Sequence, residues 1–118
     1  MIKLEEFNAQ GRQGDVYVYD ENEYRELFGD FETGAKIPRE HGKVVLAHGE
    51  VTGHMHAFAE PHVGMWMLKG KEDRCLRIKD RSATLHHDTH LPIELPAGTY
   101  IIRRQREYRP AANIRVAD

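Results

Sequence analysis

The sequence predicts a single mostly-β domain, a small barrel or β-roll with one short N-terminal helix. From residue 43 onward, short runs of β-branched and apolar residues recur at nearly regular intervals, separated by turns rich in glycine, proline or aspartate. The 118 residues contain no internal repeat and no linker, and they fit one domain of common size. We therefore expect one domain over 1–118, with a strand and a helix in 1–42 and the barrel or roll in 43–118.

The N-terminal part contains one strand and one helix. After a loop over Ala9–Asp15, the stretch Asp15–Tyr19 is rich in β-branched and aromatic residues and predicts a strand. Asp20 is a favourable helix N-cap, and Gly29 is a favourable C-cap. Apolar residues with helical spacing lie between and just beyond these caps: Tyr24, Leu27, Phe28 and Phe31. The pattern predicts a short helix, and no other segment predicts one.

Strand candidates fill the rest of the chain. They are Lys43–His48, Gly53–Ala59, Val63–Lys69, Asp73–Lys79, Ala83–His87, Thr99–Tyr108 and Asn113–Ala117. The segment from Pro92 to Gly98 is rich in proline and glycine and predicts a turn. Val63–Leu68 differs from the others because it is apolar on both faces, so both faces need a cover. We expect a homodimer through this strand; cover by the N-terminal helix alone is the alternative.

Composition restricts the class of protein. The net charge of −2 provides no global attraction to nucleic acid or to an anionic membrane. No apolar run reaches the length of a membrane span, and the N-terminus lacks the pattern of a signal peptide. The single cysteine, Cys75, excludes an internal disulfide and a cysteine-based zinc site, and the alternation around it predicts a half-buried core thiol. We therefore expect a cytoplasmic protein.

Histidines are the main functional signal. The chain has eight, and seven lie between His48 and His90. Residues two positions apart on a strand project from the same face, so His54 and His56 can reach one divalent metal ion. Three further histidines are candidates to complete the site: His48, if its strand pairs with that of His56, and His87 or His90. His86 lies in the same downstream group, and the choice among these histidines stays open.

Other polar residues near the histidines receive lesser roles. Glu60 continues the face of His56 and is a candidate oxygen ligand, and Asp88 is a candidate to orient a ligating histidine through its second ring nitrogen. His41 and His62 lie beside loop-like segments, and we assign them no role in the site.

The order of glycine, HxH and glutamate resembles the first motif of the cupin family. The residues that carry it are Gly49, His54, His56, Glu60 and Gly70. Pro96-Ala97-Gly98 is similar to the second cupin motif, although Ile101 and Gln105 stand where cupins have histidine and asparagine. The resemblance spans about 43–105 and implies a cupin-like barrel with a divalent metal. His87 or His90 would replace the cupin histidine ligand, because Ile101 occupies its position. The string HGEVTGHxH and the later QREY also resemble small bacterial and phage proteins, a likeness that implies no particular activity.

The C-terminal strand candidate becomes polar on both faces after Ile102. Four arginines lie within seven residues: Arg103, Arg104, Arg106 and Arg109. Arg104, Arg106 and Tyr108 share one face, an arrangement that suits binding of an anionic ligand or stacking on a base. The alternative is an edge strand whose charges keep it from pairing with other chains.

Three classes of function follow from these residues. The first is a metal-binding protein using Zn, Fe, Mn or Ni, acting as a hydrolase or isomerase on a small anionic substrate. The second is a metal-independent nuclease or phosphodiesterase with a nucleotide or RNA substrate. In it histidines act as acid and base, Glu50 or Glu107 assists, and Arg104 or Arg106 stabilises charge. The third is a non-catalytic dimeric accessory protein.

Overall fold

The computed structural model describes the backbone of residues 2–3, 11–13, 16–48 and 55–104, and the side chains of 16–48 and 55–104. Eleven strands and one helix occupy these ranges. They are β1 Ile2–Lys3, β2 Gly11–Gln13, β3 Val16–Asp20, α1 Glu21–Phe28, β4 Thr33–Lys36, β5 Val44–His48, β6 Met55–Phe58, β7 Val63–Leu68, β8 Arg74–Ile78, β9 Ala83–Leu85, β10 Ile93–Leu95 and β11 Gly98–Arg104.

Two layers of strands enclose the main core. One layer is a six-stranded sheet of order β2-β3-β11-β8-β7-β4, in which all pairings are antiparallel. The other contains the β5-β6 hairpin and the sheet β1-β10-β9. An isolated bridge between Ala57 and His86 joins the hairpin to the end of β9. Apolar side chains from both layers meet between them, among them Phe58, Leu76 and Leu85.

Helix α1 covers the other face of the six-stranded sheet. The Asp20 carboxylate accepts a hydrogen bond from the backbone N–H of Asn22, and Gly29 ends the helix with a positive φ of 91°. The helix directs Tyr24 onto a second core cluster that includes Cys75 and Ile101. The local capping signals therefore predict this helix correctly.

The outer face of β7 is covered by residues of the same chain. Trp66 packs over Gly64, and the Lys36 ammonium and the Arg77 guanidinium lie 5.4 and 4.9 Å from its ring centroid. Farther along the strand, Leu68 belongs to the cluster beneath the helix. Trp66 and Leu68 therefore have an intramolecular cover, while Met67 of the same strand is half exposed, and the homodimer stays a prediction.

The mostly-β class is confirmed, while the described strands form separate sheets that do not close into a barrel. Two strands lie where the sequence predicts a loop or a turn: β2, and β10 between Pro92 and Pro96. Two more, β1 and β4, lie where the sequence predicts no element. β11 is described as far as Arg104, and the strand predicted at 113–117 lies outside the described residues. In the described part of the chain, no helix has the length and apolarity that crossing a membrane requires.

Candidate functional site

A bulge in the β5-β6 hairpin decides which histidines lie together. The two strands pair as predicted, with Val45 opposite Ala57, but the register shifts by one residue before Ala47, which lies opposite His56. Regular pairing would have placed His48 on the face of His56, since a one-residue shift exchanges the two faces of a strand. Instead His48 lies opposite Met55 and projects from the other face.

His56 faces the interior beside His87. Ala57 and His86 exchange two backbone hydrogen bonds of 3.0 Å. The adjacent residues of the two segments, His56 and His87, are therefore cross-strand neighbours at a non-hydrogen-bonded position. Side chains approach closely at such positions. The two ring centroids are 4.2 Å apart, and both side chains are buried.

His90 completes a cluster of three imidazoles. The chain bends after His87, and the ring of His90 lies 4.5 Å from that of His87 and 5.8 Å from that of His56. The Nε2 atoms of all three are buried, and Nε2 of His90 has no hydrogen-bond partner among the described residues. We refer to His56, His87 and His90 as the histidine cluster.

Thr89 fixes one edge of the cluster. Its backbone N–H donates to Nδ1 of His87 over 3.1 Å, and its hydroxyl oxygen lies 3.3 Å from the same nitrogen. Because a backbone amide is always a donor, Nδ1 of His87 accepts and carries no proton. The proton of the neutral ring is therefore on Nε2.

The separations within the cluster suit a metal ion, but the present side-chain orientations do not converge on one. Imidazole nitrogens bind zinc at about 2.0–2.1 Å, so two rings on one ion have centroids roughly 5 Å apart. The observed 4.2 to 5.8 Å brackets that value. Nevertheless, no group of three or more histidine, cysteine, aspartate and glutamate side chains in residues 16–48 and 55–104 is arranged to hold a metal ion.

A small cavity of about 270 Å³ adjoins the cluster at His87. Met55, Ala57 and Ala59 form its apolar side, while Lys43, His86 and Asp88 line its polar side. Asp88 and His86 are exposed. The cavity has the volume of a small organic acid or a few water molecules, and it carries one cation and one carboxylate.

His48 belongs to a different groove. Its Nε2 lies 2.9 Å from Glu40 Oε1, and Nη2 of Arg104 donates to its backbone oxygen over 2.9 Å. The groove has a volume of about 530 Å³, and Asp73, Arg74 and Arg103 also line it. Arg103 interacts with Asp73 over 3.4 Å and stacks on Phe28. Three carboxylates and three guanidinium groups line the groove, so their charges cancel.

The remaining predicted site residues divide into two groups. Glu60 accepts a hydrogen bond from the backbone N–H of Thr84 over 2.8 Å, so one carboxylate oxygen holds β9. His62 bonds to the Ser82 carbonyl oxygen over 2.9 Å, consistent with no role in the site. The others lie outside the described residues: Glu50, His54, Arg106, Glu107 and Tyr108.

Most of the chain matches a family model described as Domain of unknown function (DUF8820), over residues 12–105. The chain belongs to this family. The DUF8820 match includes the hairpin, the histidine cluster and the groove around His48, so all of them are parts of the family's domain. Neither the curated proteins nor the solved structures compared with the chain give a match.

Sequence reasoning missed three residues of these DUF8820 sites. Lys43 and Glu40 lie in or beside a turn, and Thr89 acts through its backbone N–H, which carries no signature in the side-chain sequence. The one available signal was the short spacing between His87 and His90, which places two polar residues that occur often in turns, Asp88 and Thr89, between them.

Proposed function

We propose that this DUF8820 protein binds one divalent transition-metal ion at the histidine cluster. The observation that carries the proposal is the packing of three imidazole rings within 5.8 Å of one another, with every Nε2 atom buried. His54 is a further candidate ligand because it is two residues from His56 in the sequence.

The energetic argument concerns burial. Removing a polar ring from water without a full set of hydrogen bonds costs about 1–3 kcal/mol on protein scales, and the cluster buries several ring nitrogens at the edge of an otherwise apolar core. Metal coordination offsets this cost, because each imidazole nitrogen that binds the ion gains a strong partner. Metal binding requires the rings to rotate, because in the described residues their present orientations do not converge on one point.

Ligand chemistry restricts the metal. Imidazole suits Zn, Fe, Ni and Cu, whereas a site for calcium or magnesium requires several oxygen ligands. A metal with only histidine ligands keeps open positions for water or an anionic ligand, and it supplies Lewis acidity there. Lys43 lines the cavity beside His87 and would attract a small anion, the substrate class that the sequence predicts.

The experiment is elemental analysis of protein purified without an affinity tag. We expect close to one metal ion per chain, and we expect His56→Gln and His90→Gln to lose it. His86→Gln is the matched control, because His86 is exposed and adjacent to His87 but projects from the opposite face of the strand. Equal metal content in all four proteins, or none in the wild type after incubation with Zn²⁺, contradicts the proposal.

The contact between His48 and Glu40 favours a second candidate function, a metal-independent acid–base enzyme. A carboxylate 2.9 Å from Nε2 orients the ring, and the groove offers room for a substrate beside it. A nuclease or phosphodiesterase is the specific form that the sequence predicts. RNA cleavage that persists in EDTA and disappears in both His48→Gln and Glu40→Gln supports this candidate. Cleavage that EDTA abolishes contradicts it.

A further inference from the structure

The three histidines of the cluster are not chemically equivalent. We infer that His87 contributes an Nε2–H hydrogen-bond donor to the cluster and does not bind the metal through Nε2, while His56 and His90 supply nitrogen ligands. The inference rests on the proposed function and adds a ligand class to it. The site takes a metal ion together with an anionic oxygen or nitrogen ligand, to which His87 donates.

Backbone geometry carries the first step. Nδ1 of His87 accepts the backbone N–H of Thr89 over 3.1 Å, and the residues are only two apart in the chain. Turning the ring over would put a C–H against that amide and lose this part-buried hydrogen bond. The hydrogen bond therefore favours one orientation of the ring, in which Nε2 is protonated and has no lone pair for a metal ion.

The position of His87 carries the second step. Its ring is the nearest neighbour of both others, at 4.2 Å from His56 and 4.5 Å from His90, whereas those two are 5.8 Å apart. A metal held by His56 and His90 would have its open coordination positions close to the Nε2–H of His87. Charge-assisted hydrogen bonds to anions are stronger than neutral ones, so this donor favours a bound anion over water.

The third step concerns access. His87 is the member of the cluster that also lines the cavity with Lys43, while His56 has no exposed surface. Lys43 and Asp88 both line this cavity, so a monoanion there meets one ammonium and one carboxylate, and azide is small enough to test it. Because Nε2 of His87 is buried, the anion reaches this donor only when the surrounding side chains move.

The test begins with the tautomer in the metal-free protein. Long-range ¹H–¹⁵N correlation spectra of the histidine rings are expected to show His87 with a protonated Nε2 and an unprotonated Nδ1. A protonated Nδ1 on His87 overturns the inference, whatever the metal does.

Two substitutions of His87 provide the second measurement. Glutamine places an amide N–H near the position of Nε2, whereas asparagine reaches only the position of Nδ1. We titrate each protein with Co²⁺, followed by absorbance, and then titrate the loaded protein with azide. Both variants are expected to retain one Co²⁺ per chain. His87→Asn is expected to bind azide about tenfold more weakly than His87→Gln, a ratio typical of losing one hydrogen bond to a charged group.

The outcomes separate this inference from the proposed function. If both His87 variants fold and lose Co²⁺ as completely as His56→Gln does, then His87 is a ligand; the inference is wrong and the metal site stands. If the wild type binds no Co²⁺, both fail. Equal azide affinities in the two His87 variants also overturn the inference, because the donor then has no effect on the anion.

Discussion

His56 and His87 are 31 positions apart in the sequence, yet their rings pack 4.2 Å apart across two strands. The pair lies at the end of the rows of side chains that form the main core, next to Phe58 on one strand and Leu85 on the other. If this pair binds a metal ion, as we propose, the stability of the domain depends on that ion.

Zinc is therefore expected to stabilise the protein against unfolding. At a free Zn²⁺ concentration of about 100 times the dissociation constant, binding to the folded state alone adds roughly 2.7 kcal/mol. Urea unfolding with and without Zn²⁺ measures the difference. His90→Gln should remove it and His86→Gln should retain it; an equal zinc effect in both variants would place the ion elsewhere.

Tyr24 is expected to make the fold sensitive to alkali. Burial raises the pKa of Tyr24 well above its ordinary value of 10.0, and the hydrogen bond of 2.6 Å to Asp73 and the charge of that carboxylate raise it further. Between pH 10 and the raised pKa, the unfolded chain loses this proton while the folded chain keeps it, so the free energy of unfolding falls as pH rises.

The variant Tyr24→Phe tests this prediction. At neutral pH it should lose about 1 kcal/mol, the usual value of one hydrogen bond, and its stability should decline less steeply above pH 10. Urea unfolding at a series of pH values gives both quantities. An alkaline decline as steep as that of the wild type would show that Tyr24 does not cause it.

Cys75 is expected to be unreactive in the native protein. The thiol has no exposed surface, and burial raises its pKa above the ordinary 9.0 despite the opposing charge of Arg77. Because the thiolate is the reactive form, Ellman's reagent should label the folded chain slowly and the urea-unfolded chain at once. The chain has one cysteine, so Cys75→Ala supplies the blank. Immediate labelling without urea would be inconsistent with a core thiol.

Gly64 is expected to tolerate no side chain. A Cβ atom there would lie 2.8 Å from Cη2 of Trp66, so the indole would have to move out from between Lys36 and Arg77. Gly64→Ala should therefore cost about 1–3 kcal/mol and change the fluorescence of the single tryptophan.

Gly34→Ala on the neighbouring strand is the matched control, since a Cβ at Gly34 would lie at an ordinary contact distance of 3.4 Å from the Met67 carbonyl oxygen. The same substitution should also be less costly when the indole is absent. Adding Gly64→Ala to the Trp66→Ala variant should therefore lower the free energy of unfolding by less than adding Gly64→Ala to the wild type does. Equal losses would exclude the indole as the cause.

The sequence predicts elements whose signals are local. Helix α1 follows from its caps and spacing, because Asp20 and Gly29 satisfy backbone groups within the same turn. Strand β10 has three residues between two prolines, and it exists because Leu95 and Ile93 pair with β9 across the sheet. Such pairing depends on distant residues, which a local pattern does not contain.

The candidate site was likewise predictable only where its signals are local. Strand alternation places His54 and His56 on one face, and the other histidines offer His48, His87 and His90 as alternative companions without deciding among them. The side on which His48 lies depends on the bulge between Val45 and Ala47, and no residue in that stretch indicates the extra position. The donor from Thr89 depends on the path of the chain after β9.

The bulge also has an evolutionary consequence. Because two residues of β5 span one residue of β6, the hairpin presents one histidine to the interior and another to the groove. Loss of a single codon at Leu46 would remove the bulge but keep Ala47 opposite His56 and His48 opposite Met55, so each histidine would keep its face. Within the DUF8820 family, members shorter by one residue in this strand would therefore keep one imidazole in the groove and one in the interior. Members of equal length whose strand pairs regularly would bring both imidazoles to the interior.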